Sequence, residues 1–236
     1  MPMKFVDNPS GNYDERVKGL KIDLLLLHYT GMKSCGEAIN RLCDPLSKVS
    51  AHYLIDDDGT IFRLVPEEYR AWHAGVACWC EETDINSISI GIELVNPGHE
   101  FGYQPFPEKQ MTSLIELCRN IRSRHIITDR RVLGHSDVAP IRKKDPGEYF
   151  DWSALAQAGI GYWPIEGAID PEFEIPAVIE WQTELKRFGY QLELTGRADY
   201  ITRAVVLAFQ RHWLPRAVSG DFDIDTAWRL RSVGKP

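Results

Sequence analysis

His28, His135 and Asp145 are side chains whose types and places fit a hydrolytic metal site. Such a site needs three N or O donors brought together from distant strand ends and one position left open for water, and zinc is the ion that commonly works this way. His28 follows the stretch Ile22 to Leu27, His135 follows Val132-Leu133-Gly134, and Asp145 lies in the loop Arg142-Lys143-Lys144-Asp145-Pro146-Gly147. Their spacing is not that of two histidines one helical turn apart. Read from spacing alone, a histidine at a strand end can equally be a hydrogen-bonded structural group, so both readings stand at this point.

The elements that would position these residues can be read from the apolar pattern. Ile22 to Leu27 reads as a central strand buried on both faces. Ala51 to Ile55 and Thr60 to Val65, joined by Asp56-Asp57-Asp58-Gly59, read as a hairpin. From Ser87 to Leu94 the residues alternate, with Ile88, Ile90, Ile92 and Leu94 on one face and Ser87, Ser89, Gly91 and Glu93 on the polar one. Glu108 to Arg124 carries a helical apolar stripe, Val132 to His135 is a short strand, and Asp151 opens a further helix.

This order predicts a mixed α/β fold, a central mixed sheet flanked by helices, over residues 15–160. Residues 161–175 are rich in Gly and Pro and read as a linker. Residues 176–236 then read as a small three-helix unit, with Asp199 as a cap and no longer internal repeat evident.

Composition narrows the function classes. Hydrophobic residues make up 44% and charged residues 26%, the usage of a globular protein. A formal net charge of -7 argues against a nucleic-acid partner, which calls for a basic face. The apolar runs fall far short of the roughly 20 residues of a membrane-spanning helix. With five cysteines, an odd number, and no apolar leader at the N-terminus, a cytoplasmic location is expected, with periplasm or cell envelope as the alternative for a trimmed mature chain. Cys78 and Cys80 read as two free thiols, and a monomer is expected.

Five strings in order, LLLLHYT at 24–30, SAHYLID at 50–56, RAWHAG at 70–75, SIGIELVN at 89–96 and GHSDVAPIRKKDPG at 134–147, closely resemble the type 2 N-acetylmuramoyl-L-alanine amidases. The family's relatives include peptidoglycan recognition proteins and amidase-type phage lysozymes. The resemblance covers roughly residues 20–155 and implies one zinc ion per chain on His28, His135 and Asp145. It further implies a catalytic glutamate at Glu93 and a lysine at Lys143, with Lys144 the lesser candidate. A carboxylate there can pass a proton from water to the leaving amine, and an ammonium can stabilise the developing oxyanion.

The implied substrate is peptidoglycan or a muropeptide, cut between the muramoyl lactyl group and L-alanine. Trp72, His73 and Asn96 fall in the motifs as candidates for lining the groove, with core packing the alternative for His73. His52 reads as structural, Asp137 as a cap or loop brace, and His99, His125 and His212 as solvated. Residues 176–233 resemble the three-helix peptidoglycan-binding domain appended to wall hydrolases, the alternative being helices that only cover a face of the catalytic unit. Two rival functions share the fold or the ligands: a recognition module that binds without cutting, and a zinc peptidase acting within the stem peptide.

Overall fold

The computed structural model describes residues 3–165 and 167–234. The chain runs through β1 (Phe5–Asp7), β2 (Tyr13–Glu15), β3 (Leu24–Tyr29), α1 (Cys35–Cys43), β4 (Tyr53–Ile55), β5 (Ile61–Arg63) and β6 (Tyr69–Ala71). There follow α2 (Ile85–Ile88), β7 (Ser89–Leu94), α3 (Gly98–Phe101), α4 (Glu108–Arg122), β8 (Val132–Gly134), α5 (His135–Val138) and α6 (Trp152–Gln157). The last three helices are α7 (Val178–Phe188), α8 (Tyr200–Trp213) and α9 (Ile224–Val233). Among the described residues no helix is long and apolar enough to cross a membrane.

Six strands form one sheet in the order β1-β5-β4-β7-β3-β8, and every ladder in it is parallel except the hairpin pair β4-β5. β2 and β6 make a separate antiparallel pair. This is the mixed α/β architecture expected, with a mostly parallel sheet at its centre. The hairpin turn closes through Gly59 N to Asp56 O at 2.9 Å and Asp56 N to Thr60 O at 2.9 Å.

The burial of β3 on two faces has two different causes. Leu25 and Leu27 point into a core with Ile90, Ile92 and Leu94 of β7 and with Leu114, Leu117, Cys118 and Ile121 of α4. Leu24 and Leu26 point the other way, into a core with Leu133, Trp79 and the C-terminal residues Trp181, Leu185, Tyr190, Val205, Phe209 and Trp213. Side chains alternate along a strand, so His28 falls on the second face.

Two boundaries differ from expectation. The strand read from Ser87 begins at Ser89, because Ile85–Ile88 closes one helical turn in which Ser87 Oγ donates to Asp84 Oδ2 at 2.6 Å. His135 does not end a strand; β8 stops at Gly134 and His135 opens α5.

The C-terminal helices contain a repeat that the sequence reading passed over. Thr195-Gly196-x-x-Asp199-x-x-Thr202 recurs as Ser219-Gly220-x-x-Asp223-x-x-Thr226. In each copy the aspartate caps the next helix, accepting from Thr202 N at 2.9 Å and from Thr226 N at 2.8 Å. In each copy, too, a buried glutamine from the preceding helix straps the turn. Gln182 accepts from Gly196 N and donates to Thr202 Oγ1, and Gln210 accepts from Gly220 N and donates to Thr226 Oγ1.

Between α6 and α7 no helix or strand forms among the described residues, yet the segment is not detached. Ile160 is buried, Trp163 stacks on Trp213 with ring centroids 6.2 Å apart, and the Arg229 guanidinium lies 5.3 Å from the Trp163 ring.

Candidate active site

Three neighbouring parallel strands bring the candidate residues to one place. β7, β3 and β8 lie side by side, with His28 paired in register with Glu93 and Leu27 with Gly134. Their carboxyl ends therefore present Glu93, His28 and His135 in a row, where sites form in open α/β sheets. Asp145 comes back from the loop after α5 and is tied to its start by Ser136 N donating to Asp145 O at 2.9 Å.

His28 Nδ1, His135 Nδ1 and Asp145 Oδ2 converge, with separations of 2.9, 3.1 and 3.0 Å around the triangle. All three side chains are buried. Around a tetrahedral zinc with N and O ligands at about 2.0–2.1 Å, neighbouring donors lie about 3.3 Å apart, close to this spacing.

The outward nitrogens decide what the inward ones can do. Ser89 donates its hydroxyl proton to Ile85 O at 2.6 Å, so its oxygen accepts from His73 Nε2 at 3.2 Å. His73 Nδ1 is then bare and accepts from His28 Nε2 at 3.1 Å, which leaves His28 Nδ1 with a free lone pair. His135 Nε2 faces Ala74 O at 2.9 Å, an acceptor only, so the neutral ring is bare at Nδ1 too. Two bare imidazole nitrogens and a carboxylate aimed at one point, each ring held by its other nitrogen, form a donor set that could hold a metal ion.

Charge states agree with that arrangement. Burial, with His135 beside it, holds His28 down to about 4 against the pull of Asp145. Glu93 moves the opposite way: burial first, and then the Asp145 carboxylate, push it well above an ordinary glutamate, with Lys143 opposing.

Glu93 Oε2 is buried with no hydrogen-bond partner among the described residues, although a buried polar atom is normally paired. It opens on a cavity of about 140 Å³ also lined by Tyr29, Trp72, His73, His135, Lys143 and Asp145. Lys143 is half-buried there, while Lys144 is exposed. A larger cleft of about 520 Å³, between residues 148–153, the linker and α9, is lined by none of the three ligand candidates.

The remaining candidates fall out differently. Trp72 lines the cavity. His73 lines it as well, but its ring also holds His28, and it sits where Gly91 leaves room: a Cβ at Gly91 would lie 2.4 Å from His73 Cγ. The gap at Gly91 thus serves His73. Asn96 is 1% exposed and its amide is spent inside its own loop, donating to Gln104 O at 2.8 Å and accepting from Gly98 N at 3.0 Å.

His52 is buried, with Nδ1 accepting from Gly91 N at 3.0 Å. The expectation of solvated histidines fails for His212, which is 2% exposed against Asp137 at 2.7 Å, because α8 docks on the catalytic unit. His99 and His125 are half-buried, facing Glu148 and Glu67. Tyr29, next to His28 in LLLLHYT, is a cavity residue that sequence reasoning missed.

Comparison with known proteins accords with this geometry. Residues 18–148 match the family described as N-acetylmuramoyl-L-alanine amidase, and residues 174–230 match a putative peptidoglycan binding domain. The N-acetylmuramoyl-L-alanine amidase AmiD of Escherichia coli (strain K12) is 35% identical over 227 residues, spanning 87% of this chain and 80% of the relative. The solved complex of E. coli AmiD with anhydro-N-acetylmuramic acid-L-Ala-D-gamma-Glu-L-Lys is similar with a TM-score of 0.80 at 33% identity, over 92% of this chain and 91% of that one. AmpDh3 from Pseudomonas aeruginosa in complex with anhydromuramic pentapeptide is similar with a TM-score of 0.82 at 33% identity, over 89% of this chain and 90% of that one. With its fold, its cluster of donors and its likeness along nearly the whole length of these proteins, the chain belongs to the N-acetylmuramoyl-L-alanine amidase family.

Proposed function

We propose that this chain hydrolyses the amide bond between the lactyl group of N-acetylmuramic acid and L-alanine in muropeptides, with one zinc ion held by His28, His135 and Asp145. The observation that carries the reading is the pair of bare Nδ1 atoms 2.9 Å apart with Asp145 beside both and the unpartnered Glu93 oxygen facing the same cavity. Zinc held there supplies Lewis acidity, making water acidic enough to attack at neutral pH and polarising the scissile carbonyl.

The protein's own groups do the rest. Glu93, whose Oε2 has no hydrogen-bond partner among the described residues, takes the proton of the attacking water and later delivers it to the leaving L-alanine amine. Lys143, lining the same cavity, places an ammonium where the carbonyl oxygen gains charge, a contact worth more in the transition state than in the ground state. His73 and Ala74 O keep the two imidazoles oriented.

Two solved relatives were captured with anhydro-muramic peptides, which supports small anhydro-muropeptides as substrates here. We assign catalysis to residues 15–160, a linker to 161–175, and to 176–236 a helical unit for contact with the wall; the match to a putative peptidoglycan binding domain supports the last. Cys35, Cys43, Cys78, Cys80 and Cys118 are all free, which supports a reducing compartment.

Mass spectrometry of digested anhydro-muropeptide tests the activity. Release of a free peptide beginning with L-alanine, abolished by Glu93→Gln without loss of bound zinc, is the expected result. Cleavage between two stem residues would make the protein a peptidase, and binding without any product would make it a recognition module.

A further inference from the structure

One segment, residues 134–152, carries both His135 and Asp145, and α8 of the C-terminal unit grips it at two points. The first is Asp137, 1% exposed in the middle of α5. Its Oδ2 accepts from Gly134 N at 2.8 Å and from His212 Nδ1 at 2.7 Å, and its Oδ1 accepts from Tyr190 OH at 2.7 Å. A buried carboxylate holds its place only while its oxygens are paired, and two of these three donors belong to the C-terminal unit. The second point is Glu148, three residues beyond Asp145, whose Oε2 lies 3.9 Å from Arg211 Nε.

His212 is itself held in direction. Its ring stacks on Trp152 at 3.7 Å and 16° and on Trp213 at 3.9 Å and 4°, so the Nδ1–H has one line along which to donate. The clamp acts on an element that cannot support itself. α5 is four residues long, a single turn, and a helix so short has no stability in isolation. Gly134, whose amide Asp137 caps, immediately precedes His135, so the geometry of that cap sets where the imidazole leaves the backbone. Functional geometry of this kind has to be held to within about 0.5 Å.

We infer that His212 and Tyr190 are positioning residues for the metal centre: acting through Asp137, they fix α5 and hold His135 against His28 and Asp145. The inference rests on the reading of these three as zinc ligands, and it makes the C-terminal unit part of the amidase site as well as a means of reaching the wall. Neither His212 nor Tyr190 touches the substrate cavity.

The test uses full-length Tyr190→Phe, His212→Leu and His212→Asn, with the zinc dissociation constant measured by competition with a chromophoric chelator. Tyr190→Phe removes one hydroxyl and leaves the ring packed. His212→Leu removes the donor, whereas the amide of His212→Asn keeps an N–H near the position of Nδ1–H. Tyr190→Phe and His212→Leu should bind zinc about 10–100-fold more weakly than the parent, and His212→Asn should recover most of the loss. Turnover of a small soluble anhydro-muropeptide should fall with them at limiting zinc and return when zinc is in excess.

Parental zinc affinity in both Tyr190→Phe and His212→Leu, whatever their melting temperatures, would reduce the contact to packing between two units and overturn the inference alone. A parent protein that binds no zinc would overturn the ligand assignment and this inference with it. If His212→Leu does not fold, Tyr190→Phe decides.

Discussion

At the scale of single residues, the centre depends on where protons sit, and neighbours set that. His28 offers Nδ1 because His73 accepts from its Nε2, and His73 can accept because Ser89 gives its own proton to Ile85 O. Replacing His73 by Leu removes the acceptor and leaves the tautomer of His28 unspecified. Zinc affinity should then fall about 10–100-fold, and His73→Gln, whose amide oxygen still accepts, should keep most of it. Equal chelator-competition curves for His73→Leu and the parent would refute the relay. His28, His135 and Asp145 were legible in the sequence as candidate ligands because they fall in distinct motifs. The relay was not, since RAWHAG shows a histidine at 73 but not what lies 45 residues upstream and 3.1 Å away.

At the scale of elements, buried polar straps join pieces that apolar packing alone would leave free to slide. Glu67 is one. Tyr53 of β4 donates to it at 2.7 Å, Arg124 just beyond α4 at 2.6 Å, and His125 at 2.8 Å. Burial alone would raise this carboxyl, but the hydrogen bonds from Arg124, Tyr53 and His125 hold it below its ordinary value. A folded-state pKa below the unfolded one means that the stabilisation is present in full above the ordinary glutamate range and is lost as pH falls through the lower, folded value. Glu67→Gln should therefore cost about 2 kcal/mol at pH 7 and less at a pH below the ordinary glutamate range, as read from urea titrations at the two values. The same penalty at both would show that charge is not involved. The helices and the hairpin here were legible from periodicity and from Asp-Gly; the glutamine straps of α7 and α8 were not, because a glutamine in a helical pattern reads as a solvent-facing residue.

At the scale of the whole molecule, the catalytic sheet and the C-terminal helices share one core. Leu24, Leu26 and Leu133 of the sheet lie in the same cluster as Trp181, Leu185, Val205 and Phe209. Separating the units would expose that surface to water at a cost of roughly 25 cal/mol for each Å² of apolar area. Unfolding in urea should accordingly be a single transition, coincident by far-UV circular dichroism and by tryptophan fluorescence. Two separated transitions would mean that the helices dock weakly and that the common core adds little.

The amino-acid sequence by itself determined β3, the β4-β5 hairpin, β7, α4, β8 and the three C-terminal helices, because period and turn chemistry are local properties of the chain, and its motifs brought out His28, Glu93, His135, Lys143 and Asp145 as candidates. Only the tertiary structure decided which second face buries Leu24 and Leu26, that Asn96 braces a loop instead of lining a groove, and that His212 is buried against Asp137. Those outcomes depend on contacts between residues far apart in the chain, 75 positions apart for His212 and Asp137, and a pattern read within a window of a few turns does not contain them.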